Sequence, residues 1–299
     1  MSHPDSRPRR GFTLVEMLVV LAIIGVLAAL LLPAVMYALV RARTTAVAIE
    51  LNQLASAIEA YKNDKGDYPP NFRDRAVVER HIRKCYPKAE AQYVKETLDA
   101  AFGEFFICES ESLVFWLAMT DNDPRYPFLS YYAWSGRTAS PKKYYEFDET
   151  RLVKIDVDNV PSYIAKNCQD TFYIHIDSRA YDSYHKATSQ IEYVSDRATI
   201  SNLDNNQANT FAIAEDNKGV RPYWSNVEVN SAASATRSKY KPMNPTSFQL
   251  ICAGLDGEFG SEESDSDTKA FPNGENYNEE DKDNITNFSG GRPLRDSIQ

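Results

Sequence analysis

Glu16 is the one charged residue between Phe12 and Val40, a run of 29 positions made almost wholly of apolar side chains. A carboxylate at hydrocarbon depth costs roughly 2.5–3.5 kcal/mol on insertion scales, so a residue of this kind normally meets a cation and serves a purpose. The chemistry on offer is therefore charge pairing in a dry environment, not acid–base turnover. A second concentration of carboxylates lies at the other end. From Leu255 to Gln299 there are twelve acidic residues against four basic ones, which accounts for −8 of the chain's net charge of −9. Oxygen donors at that density suit a hard cation, and a loop so acidic repels itself without one. A solvated charged loop is the plain alternative.

Other constellations are weaker. The four histidines, His3, His81, His175 and His185, show no H-E-x-x-H or comparable ligand spacing. His175 stands near Asp177 and Ser178, but neighbours in sequence are not a triad, and no G-x-S-x-G elbow occurs. There is no G-x-x-x-x-G-K-[ST] loop for a nucleotide. Four cysteines, Cys85, Cys108, Cys168 and Cys252, are far apart and form no C-x-x-C. In an exported domain they would permit two disulfides in any of three pairings; otherwise they are small buried hydrophobes. Asn284 and Asn287 match a glycosylation sequon, a short pattern with little meaning here. Outside the acidic tail the chain is near neutral and has no basic stripe, which argues against a nucleic-acid partner.

The elements that position Glu16 come first in the chain. As a helix rising about 1.5 Å per residue, the run 12–40 is long enough to cross a bilayer core of about 30 Å. Arg7, Arg9 and Arg10 precede it and Arg41 and Arg43 follow it. The basic leader predicts a cytoplasmic N-terminus and a C-terminal bulk on the far side. A secretory signal would have a shorter apolar core and a small-x-small cleavage site close behind it, whereas Ala46-Val47-Ala48 lies beyond two arginines. A twin-arginine signal would match "RRGF" but not Glu16. A plain anchor explains the length and leaves Glu16 and the leader unaccounted for.

The stretch "RRGFTLVEMLVVLAIIGVLAALLLPAV" resembles the N-terminus of type IV pilins and of the pseudopilins of type II secretion. The resemblance implies a leader of residues 1–11, cleavage by a prepilin peptidase between Gly11 and Phe12, and N-methylation of Phe12. Glu16 is then the fifth mature residue, whose carboxylate meets the N-terminal amine of a neighbouring subunit during assembly. Pro33 stands where family helices carry a helix-weakening proline, and a kink or local unwinding is expected there, with Gly25 as a second weak point.

Beyond Arg43 the pattern turns amphipathic. Val47, Leu51, Leu54, Ile58 and Tyr61 fall on one helical face, and Gly66, Pro69 and Pro70 should end the helix. This gives a fibre-core half at 12–40 and an amphipathic half at 41–66. Residues 74–120 read as helical, an insertion relative to a minimal pseudopilin. Then "YYEF", "RLVKIDV", "TFYIHID", "TFAIAE" and "SFQLICA" read as short strands. The expected fold class is α+β and pilin-like: a long N-terminal helix packed on an antiparallel sheet, with residues 67–299 as one periplasmic domain.

Within that domain "CAGLDGEFG" resembles the G-x-D-G opening of the calcium loop of major pseudopilins, and "DKDNITNF" its closing segment. The resemblance implies a Ca2+ loop over 254–288, with Asp256 and Asp283 as ligands and Leu255 giving a carbonyl. Asn284 stands where the family has an acid, and the loop is longer than usual. Taken together, the resemblance implies a non-enzymatic subunit of a periplasmic secretion fibre, held single-pass in the bacterial inner membrane before assembly. Its partners would be the prepilin peptidase, other pseudopilin subunits, the inner-membrane platform with its ATPase, and membrane lipid. A type IV or minor pilin of a surface pilus is the near alternative, and a membrane-anchored periplasmic binding protein or enzyme the distant one.

Overall fold

Thr13 and Glu16 start the first helix by satisfying each other. The Thr13 backbone N–H and hydroxyl both donate to Glu16 Oε2 at 2.9 Å, and the Glu16 N–H donates to Thr13 Oγ1 at 3.2 Å. This is a reciprocal capping box, which removes orphan donors from the first turn. Helix α1 then runs over Leu14–Lys65. It ends as the sequence predicts: Gly66, at φ +79°, donates to the Lys62 carbonyl at 2.7 Å in a left-handed cap. Helical structure continues through Pro33 and Gly25 without a break, so of the kink or local unwinding expected there the unwinding does not occur. Proline removes a single N–H bond, to the carbonyl four residues back, and the turns on either side carry the helix past it.

The computed structural model describes residues 13–103, 107–132, 136–154, 160–169, 171–184, 220–228, 240–260 and 269–298. The chain divides into two units, Met1–Arg43 and Thr44–Gln299. In the first, every described residue, the apolar half of α1 included, is exposed. In the second, the α1 face carrying Val47, Leu51, Leu54, Ala57, Ile58 and Tyr61 is buried.

Three further helices occupy the stretch read as helical: α2 (Arg75–Cys85), α3 (Ala91–Ala101) and α4 (Glu109–Ala118). Asp74 caps α2, its Oδ1 accepting the Ala76 N–H at 2.7 Å. On α4 the Glu111 carboxylate accepts the Cys108 N–H at 2.8 Å. α4 is buried from Glu109 to Leu117 and packs on strands β2 (Ser162–Tyr163) and β3 (Ile174–Asp177). It is a central core element. Trp116 fixes it: the indole N–H donates to the Pro70 carbonyl at 2.7 Å, and the ring packs on Tyr61, Phe72, His81 and Phe128.

The remaining strands are β1 (Leu152–Val153), β4 (Trp224–Glu228), β5 (Tyr240–Pro242), β6 (Phe248–Cys252), β7 (Ala270–Phe271) and β8 (Ile285–Thr286). Among the described residues they form three small sheets, ordered β1-β2, β3-β6-β8 and β5-β4-β7, where a single sheet was expected. All pairings are antiparallel except β4 with β7. β6 is buried at all five positions because it is covered on both faces. Leu250 and Cys252 join the main core with α1 and α4, while Ile251 and Ala253 join a second cluster with Ile174, Tyr223 and Leu294.

One strand expectation meets a different outcome, and another falls outside the described residues. "YYEF" at 144–147 makes no strand; Tyr144 takes one backbone bond from its N–H to the Leu117 carbonyl, and Tyr145 and Phe147 pack edge-on against Tyr163. Its aromatics are held by side-chain packing in place of a ladder. "TFAIAE" at 210–215 lies outside the described residues.

Candidate functional site

Of the N-terminal residues, Gly11 and Phe12 lie outside the described residues. Glu16 and Pro33 lie on the exposed half of α1. Among the described residues the hydrogen-bond partner of Glu16 is Thr13, through the capping box. That engages one carboxylate oxygen with two donors of its own chain and does not neutralise its charge. A capped, charged carboxylate thus stands at the start of a helix whose hydrophobic residues over 14–40 are exposed.

The acidic C-terminal segments do come together. Residues 254–257 form a tight turn, and Asp281–Asp283 form a short 3-10 turn beside it. Asp283 Oδ2 accepts the backbone N–H of Leu255 at 2.6 Å and of Asp256 at 3.3 Å. A Cβ at Gly254, where φ is +78°, would run into the Asp283 carbonyl, so this approach requires glycine. Burial pushes the Asp256 carboxyl up to about 6, with the Asp283, Glu258 and Glu280 charges adding to the shift. Asn284 is fully buried; its amide donates to the Tyr223 hydroxyl at 2.9 Å and the Phe259 carbonyl at 3.0 Å.

Residues 261–268 of the loop expected to hold calcium lie outside the described residues. Calcium needs about six to eight converging oxygens. Asp283 Oδ2 already holds two backbone N–H groups, and Arg295 Nη2 lies 2.8 Å from Oδ1. The Leu255 carbonyl is taken by Gln169 Nε2 at 3.1 Å. Within this turn the balancing cation is a guanidinium from the chain itself. Nearby, Lys269 and Asp281 form a buried ion pair to which Tyr223 also donates, at 3.0 Å. Arg295 was not anticipated, because it lies twelve positions beyond Asp283 and carries no local pattern.

A buried polar centre was also missed. Glu50 on α1 accepts hydroxyl bonds from Tyr163 at 2.9 Å and Tyr173 at 2.7 Å, and Arg151 pairs with it through both terminal nitrogens. Burial acts to raise the Glu50 pKa, but the Arg151, Tyr173 and Tyr163 bonds outweigh it and hold the carboxyl below its ordinary value. The sequence did hold a signal: Glu50 lies on the same helical face as Val47, Leu51 and Leu54.

His175 touches a serine, though not Ser178. Ser112 Oγ lies 3.3 Å from His175 Nδ1, with both residues fully buried. Burial depresses the imidazole to about 3, and no surface reaches this pair for a substrate to enter.

Comparison with known proteins concerns the N-terminal segment. The family model for the prokaryotic N-terminal methylation motif matches residues 6–32, which include Gly11, Phe12 and Glu16 and stop one short of Pro33. The type II secretion system core protein G of Pseudomonas aeruginosa is 41% identical over 83 residues, 27% of this chain and 58% of that protein. A type IV wide pilus major component of Thermus thermophilus is 43% identical over 65 residues, 22% of this chain and 50% of that protein. A fimbrial protein of Neisseria meningitidis is 36% identical over 69 residues, 23% of this chain and 41% of that protein. The chain spans about half the length of the curated relatives it matches. No solved structure matches it. The N-terminal segment of the chain is thus similar to those of type IV pilins and type II secretion pseudopilins. Among the described residues it has one helix, α1, long and apolar enough to cross a membrane.

Proposed function

We propose that the chain is a pseudopilin, a structural subunit of a periplasmic type II secretion fibre. A prepilin peptidase cuts it between Gly11 and Phe12 and methylates the new N-terminus. Residues 12–40 hold it in the inner membrane, with the leader cytoplasmic and Thr44–Gln299 periplasmic. The observation that carries this reading is Glu16 at the capped start of a helix whose apolar surface is exposed over 14–40. Such a surface is untenable in water and finds cover in lipid first and in the helices of other subunits afterwards.

Extraction from the membrane then has a logic. A subunit leaving lipid carries one unbalanced carboxylate, and the cationic N-terminal amine of a neighbour balances it in the dry fibre core. Apolar surface supplies the attraction; the charge pair sets the register. The inner-membrane platform and its ATPase would drive the transfer. Calcium, where it enters the acidic loop, does so at Asp256 and Asp283, in competition with the Arg295 guanidinium.

A surface type IV pilin is the second reading, because a pilus component and a fimbrial protein match the same segment as the secretion proteins. The test of the shared pathway is intact mass and N-terminal sequencing of protein from native membranes. A chain beginning at methylated Phe12 is expected. A Met1 start reduces the segment to an anchor, and a start beyond Ala48 makes it an ordinary export signal; either result overturns the assembly role of Glu16. Loss of protein export against loss of surface pili on gene deletion separates the two machines.

A further inference from the structure

We propose that Asp67, His81 and Cys85 form a binding site for a transition-metal dication, Zn2+ by the character of the donors. His81 and Cys85 are four residues apart on α2 and therefore share a face, and Asp67 comes from the turn that follows α1. One donor atom from each lies within 4.8 Å of the other two. His81 Nδ1 is 3.0 Å from Asp67 Oδ2 and 3.7 Å from Cys85 Sγ. Sulfur, imidazole nitrogen and carboxylate oxygen are the three donor types zinc takes, and three protein ligands leave the fourth tetrahedral position to water.

The geometry argues against the obvious rival, a cysteine nucleophile activated by a histidine and an aspartate. Such a relay needs the two ring nitrogens to face different partners, one the nucleophile and the other the orienting carboxylate. Here Cys85 and Asp67 both face Nδ1. Three donors converging on one point make a chelate.

The surroundings complete it. His81 Nε2 lies 3.0 Å from the Tyr61 hydroxyl, so with a metal on Nδ1 the proton moves to Nε2 and donates to Tyr61. This is the outer-shell bond that fixes the tautomer of a ligating histidine. Lys84 Nζ at 3.1 Å and Arg179 Nη1 at 2.7 Å hold the Asp67 carboxylate, whose oxygens have lone pairs enough to keep both and take a metal. On loading, a Zn–S bond forms, the Cys85 S–H bond breaks, and its proton leaves to solvent. The bound ion would join the end of α1 to α2, a link independent of the fibre reading.

The test uses the full-length protein in detergent, stripped of metal and then dialysed against Zn2+. One zinc per chain is expected, with affinity at least about ten-fold weaker in Cys85→Ser and in His81→Gln. Co2+ in place of zinc is expected to give a thiolate-to-cobalt charge-transfer band, absent in Cys85→Ser. Zinc should also shield Cys85 from alkylation in the unmutated protein, read by peptide mass spectrometry. This measurement decides the matter if a variant fails to fold. Equal Cys85 labelling with and without zinc, or zinc binding unchanged in both variants, overturns the proposal.

Discussion

The Glu50 carboxylate accepts the Tyr173 hydroxyl at 2.7 Å, joining the stalk helix to the segment just before β3 across 123 positions of chain. With Tyr163 and Arg151 on the same carboxylate, this is the polar joint between helix and domain. Removing one member of a buried ion pair strands the other, so Glu50→Ala should cost about 3–5 kcal/mol. Tyr173→Phe deletes one hydrogen bond to a charged acceptor and should cost about 1.5–3 kcal/mol. Denaturant melts of the full chain in detergent check both. The same joint gives a pH dependence. The folded Glu50 pKa lies below the unfolded one, so its contribution is complete above the ordinary glutamate pKa. It declines as the pH falls through the folded value, and Glu50→Gln should flatten that part of the profile. An acid limb of equal steepness in the variant would show that Glu50 is not its source.

Glu16 has two separable roles, one inside the chain and one between chains. Glu16→Gln keeps an oxygen acceptor for Thr13, so helix content by circular dichroism should be nearly unchanged. Thr13→Ala breaks the capping box and should loosen the first turn by about 1 kcal/mol. If the charge drives registration in a fibre, Glu16→Gln abolishes assembly while Thr13→Ala only weakens it. The reverse order in a fibre-formation assay would make Glu16 a capping residue and nothing more.

The helices were legible because their signals are local. Asp74 before α2, the stripe from Val47 to Tyr61, and Gly66 with two prolines behind it each act within a few residues. β3 and β6 were legible too, as short apolar β-branched or aromatic runs. The two-residue strands β2, β7 and β8 were not, since they are too short for periodicity and exist only through partners far along the chain. The same distance hid the site chemistry. Glu50 finds its cation 101 positions away, and nothing near Asp283 announces Arg295. Helix α4 reads in sequence as part of an insertion relative to a minimal pseudopilin, and its burial on all sides makes it an extension of the core.

Cys168 and Cys252 bring their sulfurs within 3.1 Å in the interior, and this contact favours a single disulfide between them, leaving Cys85 and Cys108 as thiols. Their mutual hydrogen bond, reinforced by burial, holds the Cys168 thiol protonated, far above its ordinary pKa. In an oxidising compartment, exchange with a disulfide oxidant would remove two hydrogens and join them. A link spanning 84 positions should stabilise the domain by about 4–5 kcal/mol in the chain-entropy account. Non-reducing peptide mapping of protein taken from native membranes should find the cross-linked pair. Recovery of both residues as free thiols, trapped by alkylation under denaturing conditions, would mean that the domain is not exposed to such an oxidant.

Arg295 decides whether the acidic loop depends on an added cation. Its guanidinium lies 2.8 Å from Asp283 Oδ1, while Oδ2 of the same carboxylate holds the 254–257 turn through two backbone N–H groups. The arginine side chain is about half exposed, at 48%, so the pair itself should be worth no more than about 1 kcal/mol. In a domain of this size that amounts to a melting shift of about 2–4 °C. Arg295→Gln should therefore melt slightly lower than the parent chain. Its second effect is the informative one. With the guanidinium gone, Asp283 and Asp256 face each other without a counter-charge, and millimolar calcium should recover part of the loss. Calcium should leave the unmutated protein almost unmoved, because the site it would occupy is already balanced. A large calcium-dependent rise in the melting temperature of the unmutated chain would reverse this order of importance and place the ion, not Arg295, at the centre of the loop.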